Sequence, residues 1–434
     1  PIMPFGVMSI VIIAFALSCI VFNYPDLMEN HKKTGWKPLL VNITFFLLLG
    51  FSVLYSENTK SALIQLQKGL PLVVLPLIFI HFPPKLNQKR VHTLFAAFIV
   101  ANFLFAGYLF QYLTNNASDF EVTTTPGLVL FEGMRAADFL TQLENLWNGS
   151  FYEALYYAQL KVESKLYIHK TYASQNLLWC ILMVIYFLFR KNTVLPQKFL
   201  LSGVLAALMA LLFYYYSLIN LLLFLVLVPG YVFFKITSKK TRVAFAGTIF
   251  LICIGLYSFV NTSPREIDPQ TYEEYTRFEH PRYMLDNIVM MFASDDRYGI
   301  NTCNTELIGS SPIFGYGVGD VQDQLNGCYD RLKKTGEYIL DTETQNLNPH
   351  NYYAFLWIAG GIFALLAFLH LMFFNFSIGV KKKDLLYLVL LLLVALNLMT
   401  ESTLSRAHGI LFFALWNGLF LSKNLVYDEN DRTK

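Results

Sequence analysis

The feature that most constrains this chain is a series of apolar runs, each long enough to cross a lipid bilayer. Eleven runs of roughly 20 residues can be counted in the 434-residue sequence. They lie at 3–23, 38–55, 62–81, 92–113, 172–190, 197–213, 215–234, 243–260, 352–374, 384–400 and 405–422. Charged residues make up 15% of the chain, against about 25% in soluble domains. The sequence therefore predicts an all-α polytopic membrane protein with about 11–12 spans.

The placement of basic residues predicts the orientation in the membrane. Of the 33 Lys and Arg residues, 19 lie in connections that share one side if every run crosses: 24–37, 82–91, 190–198, 235–242, 381–383 and the tail 423–434. The positive-inside rule makes that side cytoplasmic. No basic residue precedes the first run, so we expect a span there and not a cleaved signal. The chain starts without Met, which leaves room for an upstream segment.

This topology divides the chain into five parts. Residues 1–113, 172–260 and 352–434 form the N-terminal, central and C-terminal membrane helices, the last with a cytoplasmic tail, while the loops 114–171 and 261–351 face outward. The first loop is aromatic and amphipathic, and its segment 143–168 is expected to lie along the membrane surface. The second loop holds Cys303 and Cys328, the only cysteines outside the apolar runs. A disulfide between them would suit an oxidising periplasm, and two free thiols are the alternative.

His350 is the first candidate for chemistry. It stands in Asn-Pro-His-Asn (348–351), directly before an apolar helix. One interpretation is structural: Asn351 caps the helix, and Tyr352 and Tyr353 suit the interface. The other is a general base that takes a proton from an acceptor hydroxyl, with the positive helix end favouring the neutral ring.

Arg297, in DDRYGIN, is the second candidate. An ion pair is one interpretation, and a bidentate phosphate clamp is the other. Arg265 and Arg282 add positive charge to the same loop, which nevertheless holds 15 acidic against 7 basic residues. Any phosphate site there has to be local.

Other polar groups lie near the outer boundary. The glycines of PIFGYGVGD (312–320), including Gly317 and Gly319, indicate either a tightly packed turn or an amide nest for phosphate. Glu401 and Arg406 flank a short break between two runs, where they either pair with each other or serve a function. His169, in YIHKTY, occupies a similar position at the outer boundary, where it either serves a function or anchors the chain at the interface. No zinc or calcium ligand pattern, HExxH or GxSxG occurs.

Together these segments resemble the O-antigen ligase family, which includes O-antigen polymerases and protein O-oligosaccharyltransferases. The resemblance is carried by DDRYGIN (295–301), SPIFGYGVGD (311–320), PHNYYAFLWIAGG (349–361), TESTLSRAHGILFF (400–413) and YIHKTYASQ (167–175). The sequence departs from the family in two places. Asn301 or Asn304 stands near the place of a Trp, and Ser217-Leu218 stands where many members have Ser-Arg or Ser-Lys.

The resemblance implies a GT-C-like, metal-independent, inverting glycosyltransferase of the bacterial inner membrane, with no cofactor and no nucleic-acid partner. Its donor would be an undecaprenyl-diphosphate-linked glycan, and its acceptor a hydroxyl, with lipid A-core preferred over another glycan or a protein. His350 would activate the acceptor, and Arg297 would stabilise the departing diphosphate. A third set is assigned to substrate binding: Arg265, Arg282, Asn351, Tyr353, Gly317, Gly319, His169, Tyr172, Glu401 and Arg406.

A lipid-linked glycan transporter is the alternative outside the enzymes. Transporters place polar residues or broken helices near the middle of the membrane. The polar residues noted within the runs are scattered Asn residues, among them Asn42, Asn102, Asn220 and Asn397, and no internal repeat is visible. These features favour the enzyme.

Overall fold

A computed structural model describes residues 5–84, 87–115, 170–190, 192–215, 217–262, 295–335 and 347–426. Every regular element within these ranges is helical. The α-helices are α1 (Phe5–Asn23), α2 (Leu27–Thr34), α3 (Lys37–Ser52), α4 (Thr59–Gly69), α5 (Pro71–His81), α6 (Gln88–Asn115), α7 (Lys170–Leu188), α8 (Leu195–Tyr215), α9 (Leu218–Lys235), α10 (Lys239–Thr262), α11 (Asp295–Ser310), α12 (Val321–Thr335), α13 (Tyr352–Lys381), α14 (Leu385–Asn397) and α15 (Ala407–Leu425). Short 3-10 helices cover Tyr24–Asp26, Val53–Tyr55 and Thr403–Ser405.

Eight segments in the described part of the chain are long and apolar enough to cross a membrane. They correspond to the first seven predicted runs and to the run at 352–374. The other three predicted runs coincide with α10, α14 and α15, of which α14 is a shorter apolar helix of Leu385–Asn397. The all-α, multi-pass membrane character that the sequence predicts is thereby confirmed.

The chain forms two compact units, and the division falls inside α6. One unit comprises Phe98–Ala293, in which α7 packs against α8 and α9. The membrane window of α7 is 78% buried, and Leu178, Trp179 and Cys180 are fully covered. At the start of α9, Asn220 donates to the Thr171 carbonyl oxygen at 3.1 Å and to Ser217 Oγ at 3.1 Å.

The other unit comprises Ile2–Ala97 together with Ser294–Lys434. Its core is formed by α3 packed on α13 and α5, and by α15 packed on α5. The N-terminal and C-terminal membrane helices, which the sequence analysis treated as separate parts, thus share one core. Leu39, Ile80, Ile378 and Leu421, one from each of these four helices, form one apolar cluster within it.

The later outward loop contributes a pair of helices to this second unit. Helices α11 and α12 pack on each other through Leu307 and Leu325 and are joined by a disulfide between Cys303 and Cys328, with their Cα atoms 5.8 Å apart. The disulfide that the sequence predicted is therefore present. Burial raises the pKa of the Tyr329 hydroxyl in the same packed face, so this group stays protonated.

Candidate functional site

His350 holds an unusual backbone conformation directly before α13. Its φ is 46°, in the left-handed region that few residues other than glycine adopt. Its amide donates to Asn348 Oδ1 at 2.8 Å, and the next residue, Asn351, caps α13 by accepting from Tyr353 N at 2.9 Å and Ala354 N at 3.2 Å. The Asn residues on both sides of Pro349-His350 therefore fix the turn that presents the imidazole.

Glu401 holds the ring itself. Its Oε1 lies 3.0 Å from His350 Nδ1, and the two side chains are 14% and 20% exposed. In the tautomer whose Nδ1–H donates to this carboxylate, the lone pair of the ring lies on Nε2. A main-chain bond of 2.9 Å from Tyr352 N to the Leu398 carbonyl oxygen fixes the start of α13 beside the segment that carries Glu401.

A contact from α11 supports the same turn. Asn304 Nδ2 donates to the Pro349 carbonyl oxygen at 3.1 Å, and Asn304 is 5% exposed. Arg297 lies in the first turn of this helix. The structure thus ties the helix that carries Arg297 to the residue preceding His350, through Asn304.

The glycines of the 311–320 loop have a structural role. Tyr316 N and Gly317 N donate to the carbonyl oxygens of Ile358 and Ala359 at 2.7 and 2.9 Å. Val318 N and Gly319 N donate to the hydroxyls of Ser52 and Ser56 at 3.0 and 3.2 Å. Because these amides are used within the protein, the loop forms the tightly packed turn and not the amide nest for phosphate. The assignment of Gly317 and Gly319 to substrate binding stays a prediction.

The reason for this packing is a break in α13. Gly360 and Gly361 have non-helical backbone angles, with φ of 68° at Gly361. The break exposes the carbonyls of the preceding turn, and the loop donates to them. A Cβ at Gly317 would collide with Ser56, and one at Gly361 would collide with the Ile313 carbonyl, so both positions require glycine.

The other predicted residues divide between this site and positions elsewhere. Tyr353 lies beside the site, and its hydroxyl donates to the Ala395 carbonyl oxygen at 3.0 Å. Arg406 is exposed at the start of α15 and makes no salt bridge within the described residues. Glu401 contacts His350 instead, so of the two interpretations of Glu401 and Arg406 the mutual pair is not present. Tyr172 is buried in α7 of the other unit. Arg265, Arg282, His169 and the segment 143–168 lie outside the described residues.

Two supports of the site were missed by the sequence analysis. The side chains of Asn348 and Asn304 act on the main chain around His350. Asn348 was recognisable, because Asn two residues before a turn position commonly accepts a main-chain N–H. The Asn304 contact spans 45 residues and has no local signal.

Chemically, the arrangement is a histidine whose orientation is fixed by a carboxylate and whose backbone is held by two Asn side chains. A base of this kind can take a proton at Nε2 while the carboxylate at Nδ1 compensates the charge that the ring acquires. The chain matches no protein-family model and no curated protein.

Proposed function

We propose that this protein transfers a glycan from an isoprenoid diphosphate carrier to an acceptor hydroxyl at the outer face of the membrane, as an O-antigen ligase does. The observation that carries the proposal is the His350–Glu401 pair, with Nδ1 and Oε1 3.0 Å apart on a strained, doubly anchored backbone. Strain of this kind persists where function requires it and the surroundings enforce it. The eight membrane-crossing segments supply the setting for a lipid-linked donor.

In the proposed reaction, the acceptor hydroxyl gives its proton to His350 Nε2 as its oxygen attacks the anomeric carbon. The bond from that carbon to the diphosphate oxygen breaks, and the diphosphate leaves with the electron pair. Glu401 holds the ring in the required tautomer and balances the imidazolium charge. Arg297, on the helix that Asn304 ties to the site, stabilises the charge on the departing diphosphate. One displacement of this kind inverts the configuration at carbon.

Lipid A-core sugar is the proposed acceptor. The reaction takes place at the periplasmic face of a bacterial inner membrane, which the protein crosses eleven or twelve times. The donor is an undecaprenyl-diphosphate-linked glycan. The proposal follows the resemblance of PHNYYAFLWIAGG (349–361) and SPIFGYGVGD (311–320) to the ligases. It gains support from the way the structure uses these two segments, since the amides of Tyr316 and Gly317 donate to the carbonyl oxygens of Ile358 and Ala359.

The test is glycan transfer by purified protein in proteoliposomes with a lipid-diphosphate-linked glycan. We expect His350→Ala and Arg297→Ala each to lower the rate by at least about 10²-fold, the lower bound for a lost general base or charge stabiliser. His370→Ala, an exposed histidine of the same helix, and Lys334→Ala, an exposed cation of α12, are the matched controls and should leave the rate unchanged. Full transfer by the His350 variant would refute the mechanism.

The acceptor is tested in cells. A strain that lacks the protein should lose all O-antigen from lipid A while the donor accumulates on its lipid carrier. A ladder reduced to single repeats would instead identify a polymerase, and lost glycosylation of proteins alone would identify a protein transferase. Loss of O-antigen with the donor trapped on the cytoplasmic side, and not accumulated at the outer face, would identify a transporter.

A further inference from the structure

The 311–320 loop presents two large apolar side chains outward. Ile313 is 51% exposed and Phe314 is 64% exposed, although the main chain around them is held by hydrogen bonds. Pro312 O accepts from Ile362 N at 3.0 Å and from Trp357 Nε1 at 2.9 Å, and Phe314 O accepts from the Tyr55 hydroxyl at 2.6 Å. Exposed apolar side chains on a turn held by several hydrogen bonds are costly in water and suited to lipid.

Helix α13 gives the height of this turn in the membrane. The helix has 30 residues, or about 45 Å at 1.5 Å per residue, which exceeds a hydrocarbon core of about 30 Å. Its inner end is marked by Lys381, Lys382 and Lys383. Counting roughly 20 residues outward from Lys381, about 30 Å, reaches Ile362, the residue that donates to Pro312.

Helix α3 gives the same height independently. The segment Lys37–Tyr55 has 19 residues and begins at a lysine on the cytoplasmic side, so it spans roughly 28 Å. It ends at Tyr55, whose hydroxyl donates to the Phe314 carbonyl oxygen. Two helices counted from their inner ends therefore reach the turn after one hydrocarbon thickness.

We propose that the turn Ser311–Phe314 is an interfacial anchor that inserts Ile313 and Phe314 into the outer-leaflet hydrocarbon. The occupant of this surface is bilayer lipid, because the turn lies at the outer boundary of the hydrocarbon core and both side chains face away from the protein. Hydrogen bonds to α13 on one side and α3 on the other make the anchor part of the core and not a loose loop.

The anchor also fixes the height of His350 above the lipid. The first turns of α13, from Tyr352 to Gly361, lie on the outer side of this boundary, and His350 precedes them by two residues, so it stands at most about 20 Å above the hydrocarbon. That height leaves room for a lipid headgroup between the hydrocarbon and the imidazole. The anchor itself does not depend on the proposed reaction.

Site-directed spin labelling tests the anchor. A nitroxide is attached at Phe314→Cys, and separately at Ile313→Cys, in a chain whose Cys19, Cys180 and Cys253 are replaced by alanine and whose disulfide is kept. The protein is reconstituted in phosphatidylethanolamine and phosphatidylglycerol vesicles. Collision rates are then measured with oxygen, which concentrates in hydrocarbon, and with a neutral nickel chelate, which stays in water.

The expected result is an oxygen-to-nickel ratio at both sites several-fold higher than at Lys334→Cys, an exposed position of α12, and close to that at Phe363→Cys, which is 53% exposed on the membrane part of α13. A ratio like that of Lys334 would place the turn in water and overturn the anchor. Protection from both reagents would mean that protein, a second copy or a partner, covers the turn, and would overturn it as well. Because both side chains are exposed, neither substitution removes a core contact.

Discussion

At the scale of single residues, His350 is constrained more strongly than helix capping requires. Capping of α13 is performed by Asn351, whose side chain accepts from two amides, so His350 is not needed for it. A left-handed backbone at a residue other than glycine costs of order 1–3 kcal/mol. That cost is carried while the ring is directed at Glu401, 51 residues further along the chain. The geometry argues that the orientation of the imidazole is itself what the fold maintains.

Substitution of Glu401 can separate the effect of its negative charge from the effect of its hydrogen bond to His350. In Glu401→Gln the amide oxygen still accepts from Nδ1–H, but the negative charge that balances the imidazolium is lost. We expect kcat for glycan transfer to fall by roughly 10- to 100-fold with little change in KM, since the charge acts when the proton moves. Glu401→Ala, which also releases the ring, should fall further, toward the His350→Ala rate.

Glu57→Gln is the matched control. The Glu57 residue is exposed, and its hydrogen bond to Asp320 is made by the main-chain N–H, which the substitution leaves in place. The measurement is transfer rate against acceptor concentration for the three variants. Equal rates for Glu401→Gln and the unaltered protein would show that the negative charge of Glu401 contributes nothing beyond the hydrogen bond to the ring.

At the scale of elements, the break at Gly360-Gly361 and the 311–320 loop form one device. The break opens the carbonyls of Ile358 and Ala359, and the loop satisfies them. Asp320, at the end of the loop, accepts from Glu57 N and Asn58 N at 2.8 and 2.6 Å and thereby ties it to the turn after α3. The 311–320 loop joins α11 to α12 and packs on α13. We therefore expect a change in the Asp320 contact to shift these three helices relative to one another.

Gly361→Ala tests this device. The new Cβ would collide with the Ile313 carbonyl at a φ that side chains rarely adopt, so we expect a loss of at least about 2 kcal/mol in stability and a lowered transfer rate. Gly327→Ala is the control: Gly327 is exposed in the helical α12 with open space around it, and alanine there should stabilise by about 0.5–1 kcal/mol. Thermal unfolding of both variants in detergent measures the difference. Equal melting temperatures would contradict the tight packing.

How far the sequence predicts this molecule depends on the range of the interaction. Most apolar runs became helices because spanning length and composition are local properties. The spacing of Gly315, Gly317 and Gly319 predicts a tight turn, but whether its amides face phosphate or protein depends on where α13 breaks. The pairing of His350 with Glu401 follows from how α13, α14 and α15 pack, and no local pattern reports it. For that reason Glu401 was identified as a candidate, but the partner that the sequence offered for it as one of two interpretations was Arg406 and not His350.

At the scale of the whole molecule, a buried amide cluster joins the two ends of the chain. Asn42 of α3, Asn375 of α13 and Asn417 of α15 donate to one another's amide oxygens at 2.9–3.2 Å, and Tyr387 of α14 donates to Asn417 at 2.7 Å. All four are at most 2% exposed. Scattered Asn residues in apolar runs thus mark helix contacts here, as hydrogen bonds between membrane helices commonly do.

Removing the central amide should loosen the second unit. We expect Asn375→Ala to cost about 1–3 kcal/mol, because it leaves the amides of Asn42 and Asn417 short of a partner in a buried setting. Asn102→Ala is the control: Asn102 is also buried, but the hydrogen bond that its side chain donates goes to the carbonyl of Phe98 in its own helix. Thermal unfolding of the two variants should show a clearly larger drop for Asn375→Ala. A smaller drop there would mean that the cluster fills space without binding the helices together.

The proposed reaction as a whole depends on the orientation of the protein in the membrane. The lysines at 381–383 follow α13 at one end, and His350 precedes it at the other. The proposed orientation has the lysine end in the cytoplasm, as the positive-inside rule predicts, and the His350 end, with the Cys303–Cys328 disulfide, in an oxidising compartment. With Cys19, Cys180 and Cys253 replaced by alanine, Lys334→Cys in α12 should react in intact cells with a maleimide that cannot cross the inner membrane. Lys382→Cys, which is equally exposed, should react only after that membrane is opened. The reverse pattern would put the imidazole on the cytoplasmic side. The proposed acceptor, lipid A-core, is absent from that side once it has been exported. The ligase proposal would then have to be abandoned, even if His350 acted as a base.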